Sequence, residues 1–148
     1  MADILALPHP HAAFDFAISI AVVHHLSTPE RRTEAIASIL AHLRPGGRAL
    51  VYVWALEQES SRRGWGEGDE QDVMVSWVMR GKKLKKGRGE GASGGGEQQA
   101  EVDRTFHRYY HLYRKGELEA SVREAGGVVV EAGYEKDNWW AIAERKEG

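Results

Sequence analysis

The 148-residue sequence contains no cysteine. That excludes disulfides, thiolate zinc sites and cysteine nucleophiles together, and it is compatible with a reducing compartment. An excess of one charge sign is also missing. Twenty Lys plus Arg stand against 22 Asp plus Glu, a formal charge of −2, so no global field selects a partner and any nucleic-acid contact must be local. No apolar stretch reaches the roughly 18 residues of a membrane span; the longest, Phe14 to Val23, is broken by Asp15 and Ser19. The N-terminal Met-Ala-Asp-Ile-Leu lacks a basic region followed by an apolar one, and the C-terminus ends in charges rather than a lipidation box. The expectation is a soluble protein of the cytosol, with the nucleus as a further compartment.

What is abundant is glycine, 17 residues, and its placement organises the chain. The glycines crowd between Gly64 and Gly96, and residues 81 to 101 hold almost nothing that could be buried. Such a stretch cannot offset the entropy of ordering and is expected to be a mobile insertion. The expected organisation is therefore residues 1–57 and 103–148 as structured blocks around a glycine-rich, basic segment at 58–102. Within that segment, residues 71–77 alternate apolar positions and are expected to dock as a short strand.

In the first block, Phe14 to Val23 is nearly continuous in Phe, Ile and Val, as expected for a central parallel strand buried on both faces. Ser27-Thr28-Pro29-Glu30 then combines a cap, a proline suited to the first helical position and an acid at the positive end of the dipole. Ile36, Ile39, Leu40 and Leu43 fall at i, i+3, i+4 and i+7 as one apolar stripe, and Arg44-Pro45-Gly46-Gly47 should stop the helix. Ala49 to Trp54 follows as a second buried strand, completing a βαβ unit. In the second block, Arg108-Tyr-Tyr-His-Leu-Tyr-Arg114 leads into a short helix over 115–124, closed by Gly126-Gly127. Val128–Tyr134 and Trp139–Glu144 then read as strands of a hairpin turning at 135–138.

The order strand, His-His, helix, Leu43-Arg-Pro-Gly-Gly47, strand, closing hairpin resembles the second half of the class I S-adenosylmethionine-dependent methyltransferase fold. More narrowly, Ser19-Ile-Ala-Val-Val-His-His25, Tyr52-Val-Trp-Ala-Leu-Glu-Gln58, Gln71-Asp-Val73, His107-Arg-Tyr-Tyr-His-Leu-Tyr-Arg-Lys-Gly-Glu-Leu118 and Asn138-Trp139 resemble the eukaryotic tRNA wobble-uridine methyltransferases. The implied fold class is α/β: a partial Rossmann-like methyltransferase sheet, a βαβ unit followed by a helix and an antiparallel hairpin, with a disordered insertion. The implied activity is methylation of the carboxylate of 5-carboxymethyluridine in the tRNA anticodon loop. The implied cofactor is S-adenosylmethionine, and the implied partner is a small zinc-binding activator protein. The family's glycine-rich cofactor loop and ribose-binding acid are not found in these 148 residues.

The implied chemistry sets the candidate residues. A carboxylate is already ionised at neutral pH, so methyl transfer to it needs no general base, only alignment and cationic or neutral donors. Arg108, Arg114, His24 and His25 are the candidate catalytic anchors, arginine being suited to bidentate contact. The two histidines follow the first strand, where open parallel sheets place ligands; one could face the site while the other holds the turn, and a structural role is the alternative for each. By resemblance, Asp3, Ile4 and Ala21 would border the cofactor. Tyr109, Tyr110 and Tyr113 interleave with arginines in a composition suited to stacking unpaired bases, or serve partly as core. Arg62 and Arg63, with the run Arg80, Lys82, Lys83, Lys85, Lys86 and Arg88, would add salt-dependent RNA affinity or remain solvated. Trp54 and Glu57 would border the target base or belong to the core. His107 and His111 have a spacing that suits a metal on a helix, yet no third ligand accompanies them, so no metal is expected. A competing reading is a non-catalytic module that keeps RNA or activator binding. A methyltransferase for another small molecule is disfavoured by the tyrosine block.

Overall fold

The computed structural model describes residues 4–6, 8–80 and 103–147. The chain forms β1 (Phe14–Ile20), a 3-10 turn at Val23–His25, α1 (Pro29–His42), β2 (Leu43–Trp54), β3 (Asp72–Met79), β4 (Arg104–His111), α2 (Glu117–Glu124), β5 (Gly127–Glu135) and β6 (Asn138–Arg145). Four strands make one sheet in the order β1-β2-β6-β5, and β3 and β4 make a separate two-stranded sheet. β1 and β2 are parallel, while β2–β6 and β5–β6 are antiparallel. No helix among the described residues is long and apolar enough to cross a membrane.

The βαβ unit forms as its residues dictate. Thr28 caps α1, its Oγ1 accepting the Arg31 N–H at 3.3 Å, with Pro29 in the first turn. The buried stripe Ala35, Ile36, Ile39 and Leu40 packs with alternate β2 residues Ala49, Val51 and Val53, with Ala141 and Ala143 of β6, and with Leu118 and Val122 of α2. Leu43 does not end the helix as expected; it caps α1 and opens β2. The Pro-Gly-Gly segment is accommodated inside the strand by a register shift against β1. Gly47 is required there, because a Cβ would lie 2.9 Å from the Arg44 carbonyl oxygen and 3.2 Å from that of Asp15. α2 begins at Glu117, two residues later than expected, and Gly126, with φ of +88°, supplies the left-handed residue after its end. The β5–β6 hairpin turns through Lys136 and Asp137, both at positive φ, the backbone of a two-residue primed turn.

One expectation is overturned. β1 is not a central strand buried on both faces: among the described residues it pairs with β2 alone, and Phe16, Ile18 and Ile20 are 54–61% exposed. α1 and α2 pack on the face that carries Val51 and Ala141, so the alternate residues of β1 face the uncovered side. A continuous apolar run states that both faces can be buried. It does not supply the neighbours that bury them.

The chain divides into two compact units, Met1–Val73 with Tyr109–Gly148, and Met74–Arg108. The expected short strand at 71–77 forms as β3 and pairs with β4. Within the smaller unit, Trp77 and Phe106 meet at 6.5 Å between ring centroids, and the Ser76 hydroxyl lies 3.3 Å from His107 Nδ1. The core of the expected insertion, residues 81–102, lies outside the described residues.

Candidate nucleic-acid interface

The C-terminal ends of β1 and β2 converge on an aromatic cluster. After β1 the chain turns through Ala21, at φ +57°, and enters the 3-10 turn that carries both histidines. His24 is fully buried, and its Nδ1 accepts the backbone N–H of Trp54 at 2.9 Å. That bond leaves the ring hydrogen on Nε2, which has no partner among the described residues. Burial, and then the proximity of His25 and His111, push the His24 pKa down to about 3, so the ring is neutral at physiological pH. His25 is half-buried and donates from Nδ1 to the Tyr109 carbonyl at 3.0 Å. A carbonyl only accepts, so Nδ1 carries the hydrogen and Nε2 is the atom His25 has left for a ligand.

The adjacent histidines differ: His24 holds the strand end, and His25 is half-buried and bonded to the Tyr109 carbonyl. Tyr110 joins them: its ring stacks on Trp54 at 4.1 Å and 11°, and lies 4.4 Å from His25 and 5.0 Å from His24. From the loop after β2, Arg63 places its guanidinium 5.5 Å from the Trp54 ring and 5.4 Å from that of Trp65. Trp54, Trp65 and Arg63 line a cavity of about 300 Å³ together with the tip of the β5–β6 hairpin.

Behind this cluster a polar network ties the base of β3 and β4 to α2. His111 sits between two carboxylates, with Nδ1 2.8 Å from Asp72 and Nε2 2.6 Å from Glu117. Asp72 also accepts from the Tyr109 hydroxyl. Glu117 further accepts from Gln71 at 2.6 Å and from the Arg114 backbone N–H at 2.9 Å. The Tyr109 bond, with those of His111, outweighs burial and holds Asp72 below the usual carboxylate range. Burial pushes Glu117 up, but His111 and the Arg114 N–H more than offset it and the net shift is downward. Burial, and then Asp72, push the Tyr109 pKa up to about 12, so its hydroxyl stays protonated and committed to Asp72.

The structure thus brings His24, His25, Tyr109, Tyr110 and Arg63 to one end of the sheet. The other expected residues are not part of this aromatic cluster. Tyr113 is fully buried in the core, where its ring packs with Leu118 and Val122, and offers no face to a base. Arg62 and Arg114 are exposed. Arg108 is exposed and belongs to the smaller unit. Ile4 is half-buried against the core, Ala21 is exposed, and Asp3 lies outside the described residues, as do Lys82, Lys83, Lys85, Lys86 and Arg88. Glu57 is occupied by the fold, accepting from the Lys115 N–H and the Trp139 indole. His107 and His111 are strand residues, so the helical face that their spacing would need is not there. Sequence reasoning missed Trp65, Asp72 and Glu117. Trp65 had a signal, a lone indole beside an arginine pair in a segment otherwise poor in apolar residues. The other two are visible only once His111 is placed.

Comparison with known proteins fits this architecture. Residues 1–51 match the methyltransferase domain family. The chain is 47% identical over 145 residues to the tRNA (carboxymethyluridine(34)-5-O)-methyltransferase of Schizosaccharomyces pombe, spanning 98% of this chain and 63% of that protein. It is 43% identical over 188 aligned residues to the Saccharomyces cerevisiae protein of the same name, spanning 99% of this chain and 67% of that one. The chain belongs to the tRNA carboxymethyluridine methyltransferase family. It spans about two thirds of the length of these two family members. Among solved structures, an S-adenosylmethionine-dependent methyltransferase from Clostridium acetobutylicum matches with a TM-score of 0.62 at 11% identity, covering 98% of this chain and 63% of that one; the likeness is one of fold. Within the family frame, the β1-β2-β6-β5 sheet is the expected partial methyltransferase sheet.

Proposed function

We propose that this chain forms the substrate side of an enzyme that transfers a methyl group from S-adenosylmethionine to the carboxylate of 5-carboxymethyluridine in the tRNA anticodon loop, acting in the cytoplasm. The observation that carries the reading is the Trp54–Tyr110 stack flanked by His25 and Arg63 at the strand ends, in a chain whose relatives bear that name. Stacked aromatics with adjacent cations suit an unpaired, splayed-out base. The cofactor supplies an electrophilic methyl; the work of these residues is to hold the already ionised carboxylate in line without quenching its nucleophilicity. His24, neutral and fastened to Trp54, positions the stack. His25 borders the stack with Nδ1 held by the Tyr109 carbonyl, and Arg114 supplies an exposed guanidinium as donor to the carboxylate. Ile4 and Ala21 fit the border of a cofactor site and not a complete one: Ala21 is small and exposed, and its N–H is taken by the Tyr52 carbonyl at 3.2 Å. A small zinc-binding activator protein belongs to the same proposal as partner.

The test is methyl transfer to tRNA bearing 5-carboxymethyluridine, with the activator present. Arg114→Ala is expected to lower kcat/KM by about tenfold, the loss of one charge-assisted contact, with thermal stability unchanged. Equal turnover in the variant removes Arg114 from the site. A second reading is a non-catalytic module that binds RNA or the activator. Calorimetry separates the two. Cofactor binding supports the enzyme, while RNA binding without it supports the module.

A further inference from the structure

The smaller unit presents apolar surface that the fold leaves in solvent. Trp77 and Met79 of β3 are 54% and 51% exposed, and Phe106 of β4 is 46% exposed. A two-stranded ribbon covers neither of its own faces, and large apolar side chains left exposed together mark an interaction site. Two contacts show which side chains share a face. Trp77 meets Phe106, and one residue earlier on β3 Ser76 meets His107, one residue later on β4. The strands therefore run antiparallel, with successive pairs on opposite faces. Alternation puts Met79 on the Trp77 face, and Arg104 and Arg108 on that same face to either side of Phe106. Both arginines are exposed and are diagonal neighbours of Trp77, within reach of its ring. They lie about 13 Å apart along β4, too far to share one phosphate.

Charge decides the class of occupant. Among the described residues of the smaller unit, Arg80, Arg104 and Arg108 stand against one acid, Asp103, which precedes β4. The strand residues of the Trp77 face include no acid at all. RNA matches such a face at both levels, with a phosphate at every nucleotide for the arginines and a π-face on every base for the aromatic rings. Exposed aromatics side by side on adjacent strands are also how the RRM sheet stacks unpaired bases. Here the Trp77 and Phe106 rings have centroids 6.5 Å apart and planes tilted by 40°, so they do not stack on one another.

We propose that this face of the β3–β4 ribbon binds unpaired RNA, with bases stacked on Trp77 and Phe106 and separate phosphates paired with Arg104 and Arg108. Trp77, Phe106 and Arg104 take no part in the Trp54–Tyr110 cluster, so the surface is additional to the one that receives the target nucleotide. Stacking on a ring is tolerant of base identity, so the face supplies affinity and not sequence choice. The proposal rests on the RNA-methylating reading for the RNA it meets in the cell.

Its test uses unmodified single-stranded dodecamers of uridylate and of adenylate, labelled for anisotropy, with the full chain and no cofactor. Both should bind. Trp77→Ala should weaken each about tenfold, the scale of one lost base–aromatic stack, while Trp77→Phe restores most of the loss. Phe106→Leu keeps apolar bulk without the ring and should also cost about tenfold; it serves if Trp77→Ala does not fold. Arg104→Ala should reduce the slope of log affinity against log salt by about 0.7, the share of one phosphate contact on a single strand. Wild-type protein that binds neither dodecamer overturns the proposal. So does Trp77→Ala, or Phe106→Leu in its place, with affinity within about twofold of wild type, or Arg104→Ala with an unchanged salt slope. A dimer in sedimentation that Trp77→Ala dissociates would assign the face to a second copy and overturn it too. The dodecamers carry no carboxymethyl group, so absence of methyl transfer to tRNA would sink the enzyme reading and leave this result standing, and the reverse holds too.

Discussion

Two buried histidines meet opposite surroundings in this fold. His24, wholly inaccessible, has one ring nitrogen on a backbone N–H and the other without a partner among the described residues. His111, at 5% exposure, has a carboxylate oxygen within 2.8 Å of each nitrogen. The first environment punishes charge, because a proton on Nδ1 would face the Trp54 N–H with no water to relieve it. The second supplies an acceptor oxygen to each ring nitrogen. Burial alone therefore predicts nothing about a histidine, and what stands at each nitrogen decides its role. His24 is a neutral prop for the aromatic cluster. His111 is a clasp between the base of β3 and β4 and the start of α2.

The clasp can be broken from the carboxylate side. Glu117→Ala removes an acceptor of His111, Gln71 and the Arg114 N–H at once, leaving His111 Nε2 without its carboxylate. Breaking a buried pair costs about 3–5 kcal/mol; Glu117 keeps 30% of its side chain exposed, so about 2–3 kcal/mol is expected in urea unfolding. A loss under about 0.5 kcal/mol would mean that the network adds little and that the two histidines are energetically alike.

The prop answers to pH. The folded-state pKa of His24, about 3, lies below the unfolded value of 6.5, so between those limits the unfolded chain binds the extra proton. Stability supplied by the neutral ring is complete above pH 6.5 and is lost as pH falls toward 3, with a slope approaching about 1.4 kcal/mol per pH unit. From pH 7 to 5 the loss should be about 2 kcal/mol. Asp72 and Glu117, whose pKa values are lowered from carboxylate values of 3.8 and 4.5, contribute their losses below this window. His24→Asn keeps an acceptor for the Trp54 N–H and cannot titrate, so its stability should be flatter over pH 7 to 5. Equal slopes in the two proteins would refute a neutral, buried His24.

Local chemistry made part of this legible in advance. Thr28-Pro29 marks the start of α1, and Gly126 its counterpart's end, because caps and left-handed residues act within a few residues of themselves. Leu43 escaped because helix periodicity carries one position past the true end, and only the close approach of Gly47 to Asp15 shows that the strand has begun. β1 escaped because an apolar run is silent about its neighbours. The tyrosine block left stacking and core packing both open: alternation along β4 and the turn that follows sends Tyr110 to the stack and Tyr113 into the core, a distinction that composition does not carry. Trp65, Asp72 and Glu117 derive their roles from contacts far apart in sequence, and no local pattern encodes those.

The mildest test concerns the unpaired class to which His24 Nε2 belongs. Ser19 lies on β1 facing the core at 5% exposure, and its Oγ has no partner among the described residues. A hydroxyl taken from water without a new bond costs free energy, whereas a methyl at the same place does not. Ser19→Ala should therefore raise stability by about 0.5–1 kcal/mol in urea unfolding, in contrast to the loss expected at Glu117. The unpaired atom of His24 cannot be deleted without deleting its bonded one, so Ser19 is the cleaner probe of what such an atom costs in this core. Destabilisation by the substitution would mean that the hydroxyl finds an acceptor on the sheet, and that the contrast between paired and unpaired buried groups is smaller than the two histidines make it.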